Sequence, residues 1–225
     1  MTKDVKAILV ALITEMEAHA NLFQAARMKS YMRDRYDFYG LQKNERAEIY
    51  KPFLAQLWKV KDANIESVVK FLWGHPCREC QYVAMEYITK TSKQWTPQTL
   101  TLFEYMITEK SWWDTVDMVA STFVGKLFQL FPELIQPSVK KWNLQPDFWL
   151  HRTSIIFQLK YADKTDEKLL FKQCEKNLDS KEFFIQKAVG WALRQHSKLK
   201  PDSVREFVAN HKLSTVSLRE AKKYI

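Results

Sequence analysis

A helical pattern that returns about every 35 residues constrains this chain more than any other feature. The tracts begin near Arg78, Trp113, Trp149 and Phe184, and self-similarity of that length is the signature of stacked helical pairs. Apolar spacing predicts helices over 3–18, 22–36, 44–59, 64–73, 77–91, 97–109, 112–130, 133–142, 147–161, 166–177, 181–196, 201–210 and 215–224. Prolines at 97, 146 and 201 stand where helices would start, Pro76 in the first turn of another, and Gly74 where one would stop. No alternating strand pattern competes, and four glycines in 225 residues argue against a turn-rich β architecture. The expected fold is an all-α solenoid of antiparallel helix pairs, with residues 1–225 forming one domain and linkers too short to mark a second.

Charge points to the partner. The chain carries +9 at neutral pH, and residues 181–225 alone hold ten basic and four acidic residues, +6 of that excess. Phe183, Phe184 and Trp191 are interleaved with those cations, which favours a binding surface over a merely solvated face. In a stack of helical pairs one helix of each pair lines the concave side. Asp117, Arg152, Lys187, Trp191 and Arg194 fall on the predicted inner helices, so a basic, aromatic-lined concave face suited to a duplex backbone is expected.

The other motifs are weaker. Lys3 and Lys6 precede an apolar run at 7–13, but the run is too short for a membrane span, and Glu15 and Glu17 follow where a cleavage site would need small residues. An amphipathic first helix, no membrane partner and a cytoplasmic protein are expected; three cysteines fit a reducing compartment. Cys77 and Cys80 form a C-x-x-C, yet Cys174 is the one further cysteine and no βαβ context surrounds the pair, so packing is the expected role. His19, His75, His151, His196 and His211 are scattered, and neither metal nor organic cofactor is expected.

In the second tract, Ser111-Trp112-Trp113-Asp114-Thr115-Val116-Asp117, an indole and a carboxylate stand four residues apart on one helix face. Trp113 and Asp117 together could stabilise a cation. The plainer reading is a core tryptophan beside a solvated or paired aspartate, a role that Trp112 and Asp114 could equally carry.

These segments resemble a known family. Ser-Trp-Trp-Asp-x-Val-Asp at 111–117, Trp149-Leu-x-Arg152 with Ile156-Phe157-Gln158-Leu159-Lys160-Tyr161, and the run from Ser180 to Arg194 are similar to the HEAT-like-repeat DNA glycosylases of the AlkD type. The resemblance is densest from about 106 to 225 and looser over 21–46. It implies a HEAT-like-repeat fold and removal of cationic alkylated purines, N3-methyladenine and N7-methylguanine, from duplex DNA. It further implies that Asp117 stabilises the oxocarbenium-like sugar and prepares the attacking water, while Trp113 and Trp191 flank the lesion nucleotide. Arg152 would hold a phosphate beside the lesion; the other reading of Arg152 is a salt bridge between repeats. Lys181, Lys187 and Arg194 would meet the DNA backbone.

Tyr31 matches the family's minor-groove tyrosine, its alternative being a half-buried packing residue. Arg46, a further DNA contact that the resemblance implies, closes the segment Gly40 to Arg46, in which Lys43-Asn44 replaces the more typical Thr-Pro. Two further functions stay open: a non-catalytic paralogue that binds DNA as a scaffold, and a protein-binding adaptor of the same fold. A monomer is expected, because a solenoid that cradles DNA needs no second copy.

Overall fold

The computed structural model describes residues 1–61 and 63–225. It is all-helical, and among the described residues strand pairing is confined to one isolated bridge between Asp37 and Cys77. Contacts group the chain into two compact units, Met1–Gln94 and Trp95–Ile225.

The first unit holds α1 (Lys3–Ala18), α2 (Leu22–Tyr31), α3 (Lys43–Leu57), α4 (Ile65–Gly74) and α5 (Arg78–Thr89). Polar residues in extended backbone start most of them: the Thr2 side chain accepts from the Val5 amide, Asn21 from Gln24 and Asn64 from Ser67. Gln42 and Glu45 form a reciprocal capping box ahead of α3, so the Lys43-Asn44 pair lies inside a well-formed helix start. α1 buries Val5, Leu9, Leu12 and Met16 at helical spacing, while α2 buries nothing. α2 also ends earlier than the expected 36, because Arg33 and Asp34 both adopt left-handed backbone at φ 55°. The α5 helix begins after Pro76, with Cys77 as its N-cap and Cys80 fully buried.

The second unit holds α6 (Thr99–Thr108), α7 (Trp113–Met118), α8 (Gly125–Leu130), α9 (Ile135–Trp142), α10 (Phe148–Ile156), α11 (Glu167–Glu175), α12 (Phe183–Ser197), α13 (Pro201–Asn210) and α14 (Thr215–Ala221). Asp147, Asp166, Glu182 and Ser214 cap α10, α11, α12 and α14 with their side chains. Pro201 occupies the first turn of α13, where its missing N–H is harmless. Buried residues lie all round α10, which packs against α6, α7, α9, α11 and α12. Ile155, Ile156, Leu170, Ile185, Val189, Leu193 and Val204 form the core these helices share.

The expected helix over 112–130 is one helical rod with a change of pitch inside it. Between α7 and α8, residues Val119–Val124 form a π-helical turn, and there the Ser121 hydroxyl donates to the Asp117 carbonyl at 2.6 Å. Just beyond it, a Cβ on Gly125 would stand 2.6 Å from the Phe157 carbonyl oxygen, so the rod and the end of α10 touch backbone to backbone. The Tyr161 hydroxyl closes that contact by donating to the Gly125 carbonyl at 2.7 Å.

Candidate functional site

Trp113 opens α7, and Asp117 follows one turn later on the same face; both side chains are half-buried. From α10, one repeat onward, Arg152 reaches Asp117 with a two-pronged ion pair. Its Nε donates to Asp117 Oδ1 at 2.7 Å and its Nη2 to Oδ2 at 2.8 Å. The third guanidinium nitrogen, Nη1, donates to the backbone carbonyl of Phe184, at the start of α12. One arginine thus ties α7, α10 and α12 together through charge-assisted bonds.

The carboxylate is therefore paired, and of the two readings open for Arg152 the geometry realises the salt bridge between repeats. The Arg152 side chain is 4% exposed and that of Asp117 18%. The guanidinium lies inside and the carboxylate faces out, so the pair is a fixed dipole with its negative end toward solvent. The guanidinium is buried and turned onto Asp117 and the Phe184 carbonyl, with two of its five N–H groups left over.

Aromatic rings wall this pair. Phe184 meets Trp112 edge-on at a centroid distance of 5.1 Å, Trp149 at 4.9 Å, and lies parallel to Phe148 at 6.4 Å. The Arg152 guanidinium carbon sits 5.9 Å from the Phe184 ring centre. Trp112 and Trp149 are buried, so Trp112 takes the packing role. The sequence places Phe184 among the aromatics of a basic surface and Trp149 in a family motif, but gives neither a part in walling this ion pair. The signal was present, because each stands at the first position of a repeat.

Trp191 lies on α12, half-buried and packed against the core of the second unit. Lys187 and Arg194, on the same helix, are engaged with a residue that carried no expectation. Glu220 of α14 receives Lys187 at 3.0 Å, Lys223 at 3.0 Å, and Arg194. Hydrogen bonds from Lys187 and Lys223, then the charges of Lys187 and Arg194, hold the Glu220 carboxyl at about 2. Its neighbour in this cluster is Gly190, where a Cβ would stand 2.7 Å from Glu220 Cβ and 2.8 Å from the Ser217 carbonyl oxygen. α12 and α14 are thus in close backbone contact, locked by three cations on one acid. Lys181, by contrast, is exposed.

In the first unit, Tyr31 ends α2 with 72% of its surface exposed, so it is not the half-buried packing residue of the alternative reading. Arg46, the other residue of this unit expected at the DNA, is buried. It is 8% exposed, its Nη1 donates to the Leu41 carbonyl at 3.2 Å, and its guanidinium lies 4.7 Å from the Tyr82 ring centre. Burial of the stem and head makes it a bolt within this unit. Among the described residues no three His, Cys, Asp or Glu side chains gather as metal ligands, and no single helix is long and apolar enough to cross a membrane. Cys77 is a free thiol pushed up to about 11, chiefly by burial.

Comparison with known proteins is consistent across most of the chain. The family model for DNA alkylation repair enzymes matches residues 12–225. A solved structure, a predicted DNA alkylation repair enzyme from Enterococcus faecalis, superposes with a TM-score of 0.85 at 29% identity, covering 92% of this chain and 97% of that one. No curated protein sequence matches.

Proposed function

The chain belongs to the DNA alkylation repair enzyme family, and from that premise we propose that it is a glycosylase that hydrolyses the N-glycosidic bond of cationic alkylated purines in duplex DNA. The observation that carries the reading is the outward-facing Asp117 carboxylate, clamped from within by Arg152 and one helical turn from Trp113.

N3-methyladenine and N7-methylguanine already bear positive charge. When the C1′–N bond breaks, its electron pair neutralises the departing base, so little protonation of the leaving group is needed. The barrier lies in the positive charge that develops on the deoxyribose. A preorganised carboxylate at that point lowers it, and the water that attacks C1′ is oriented by Asp117, which accepts its proton. The products are the free neutral base and an abasic site.

Arg152 serves this chemistry as a positioning residue. Two parallel bonds hold the carboxylate plane, and the oxygen lone pairs not used by Arg152 are left for the substrate side. A phosphate contact by Arg152 would have to use the two guanidinium N–H groups left over from the five. Trp113 and Trp191 would flank the lesion nucleotide and contribute cation–π contacts of about 0.5–2 kcal/mol each. Lys181 and Tyr31 would meet the duplex, at a phosphate and in the minor groove.

The test uses a duplex carrying one N7-methylguanine, with abasic sites scored by alkaline cleavage. The wild type is expected to excise, and Asp117→Asn to bind the same duplex at least as tightly while excising nothing. If wild type and variant both bind and neither excises, the chain is a scaffold that shares the fold. If Asp117→Asn loses binding and excision equally, the carboxylate is not the catalytic group.

A further inference from the structure

α13, α14 and the chain between and after them line an open groove of about 690 Å³, whose lining includes neither Asp117 nor Arg152. Val208 of α13, Leu213 of the connection, Leu218 of α14 and Ile225 form its floor, all partly exposed. Val208, Leu213 and Ile225 rest on the core of the unit, so the floor is backed by packed side chains. Arg205, His211, Lys212 and Lys222 stand around it, and among the described residues no aspartate or glutamate lines the groove. Arg205 pairs with the exposed Asp202, whereas Lys212 and Lys222 have no ion-pair partner among the described residues.

From this combination we infer that the groove is a docking site for a partner protein's amphipathic helix with acidic flanks. The apolar floor argues against a nucleic-acid backbone, which presents phosphates and has nothing to offer four aliphatic side chains. The concavity argues against a flat lipid surface. Small ligands bury most of their surface in an enclosed site, and this groove is open. An amphipathic helix satisfies both parts at once: apolar residues at i, i+3, i+4 and i+7 enter the floor, and glutamates on either side meet Lys212 and Lys222. The inference is independent of the glycosylase reading, since it uses none of the same residues.

The test is fluorescence polarisation on the full chain with two labelled helical peptides. Both carry leucine at i, i+3, i+4 and i+7; one has glutamate at the remaining positions and the other lysine. The acidic peptide is expected to bind and the basic one not. The double variant Lys212→Glu/Lys222→Glu, at two exposed positions, should weaken the acidic peptide about tenfold without changing the thermal melt. Leu213→Asp should abolish binding. Absence of binding, equal binding of both peptides, or an affinity unchanged in the charge-reversed variant overturns the proposal. So does an equal loss of affinity for undamaged duplex DNA in that variant, because the groove would then belong to the DNA surface.

Discussion

Removing the Arg152 guanidinium would leave the half-buried Asp117 carboxylate without its counter-charge and the Phe184 carbonyl without its donor. Arg152→Ala is therefore expected to destabilise the fold by about 3 kcal/mol, read by urea denaturation, and to slow excision with it. Arg152→Lys restores the charge but not the fork, since one ammonium cannot meet two carboxylate oxygens and a carbonyl on a third helix. It should recover stability more than excision, and equal recovery of both would remove the positioning role. Glu220 makes a different prediction. Its carboxyl is held at about 2 against an ordinary 4.5, so its contribution is complete above 4.5 and lost as pH falls from there through about 2. Glu220→Gln should flatten the acid limb of a stability–pH curve in that window and lower stability at neutral pH. An unchanged acid limb would show that the cluster does not bear on folding.

Gly125 sets how closely the α7–α8 rod and α10 approach. The obstacle to a side chain there is the Phe157 backbone, which cannot swing aside as a flexible side chain would. Gly125→Ala is expected to cost about 1–3 kcal/mol, seen as a lower Tm. Elements with strong punctuation were legible in the sequence: α13 runs over 201–210 as expected because Pro201 fixes its start. The early end of α2 was not legible. Arg33 and Asp34 carry the left-handed turn without glycine or proline to announce it, so apolar spacing overran to 36. The π turn was equally hidden, since Val119, Ala120, Phe123 and Val124 continue an ordinary buried stripe. Asp117 and Trp113 could be read from their spacing. The Asp117–Arg152 pair spans 35 positions, one repeat, so the period itself held the information that these two side chains meet. Glu220 belongs to no motif and is understood only once α14 lies on Gly190.

For the molecule as a whole, the count of 35 lysines and arginines overstates what is free to meet DNA. Lys187, Arg194 and Lys223 are engaged with Glu220, and Arg46 and Arg152 are buried. The salt dependence of duplex binding should separate these groups. Lys181→Ala is expected to reduce the slope of log Kd against log salt by about 0.9, the change for one phosphate contact, whereas Lys187→Ala should leave the slope nearly unaltered. A larger change for Lys187 would mean that it leaves Glu220 when DNA arrives. The π turn after Asp117 bears on how relatives should be compared. Such a turn accommodates one residue beyond the α pitch, and one residue is about 100° of rotation. A homologue with a deletion between 119 and 124 would align perfectly through Trp113 and Asp117 yet turn that carboxylate by about a quarter of a circle relative to the rest of the rod. Shared motif letters would then overstate shared chemistry, and a single gap column in this stretch would signal lost activity even where Trp113 and Asp117 are both retained.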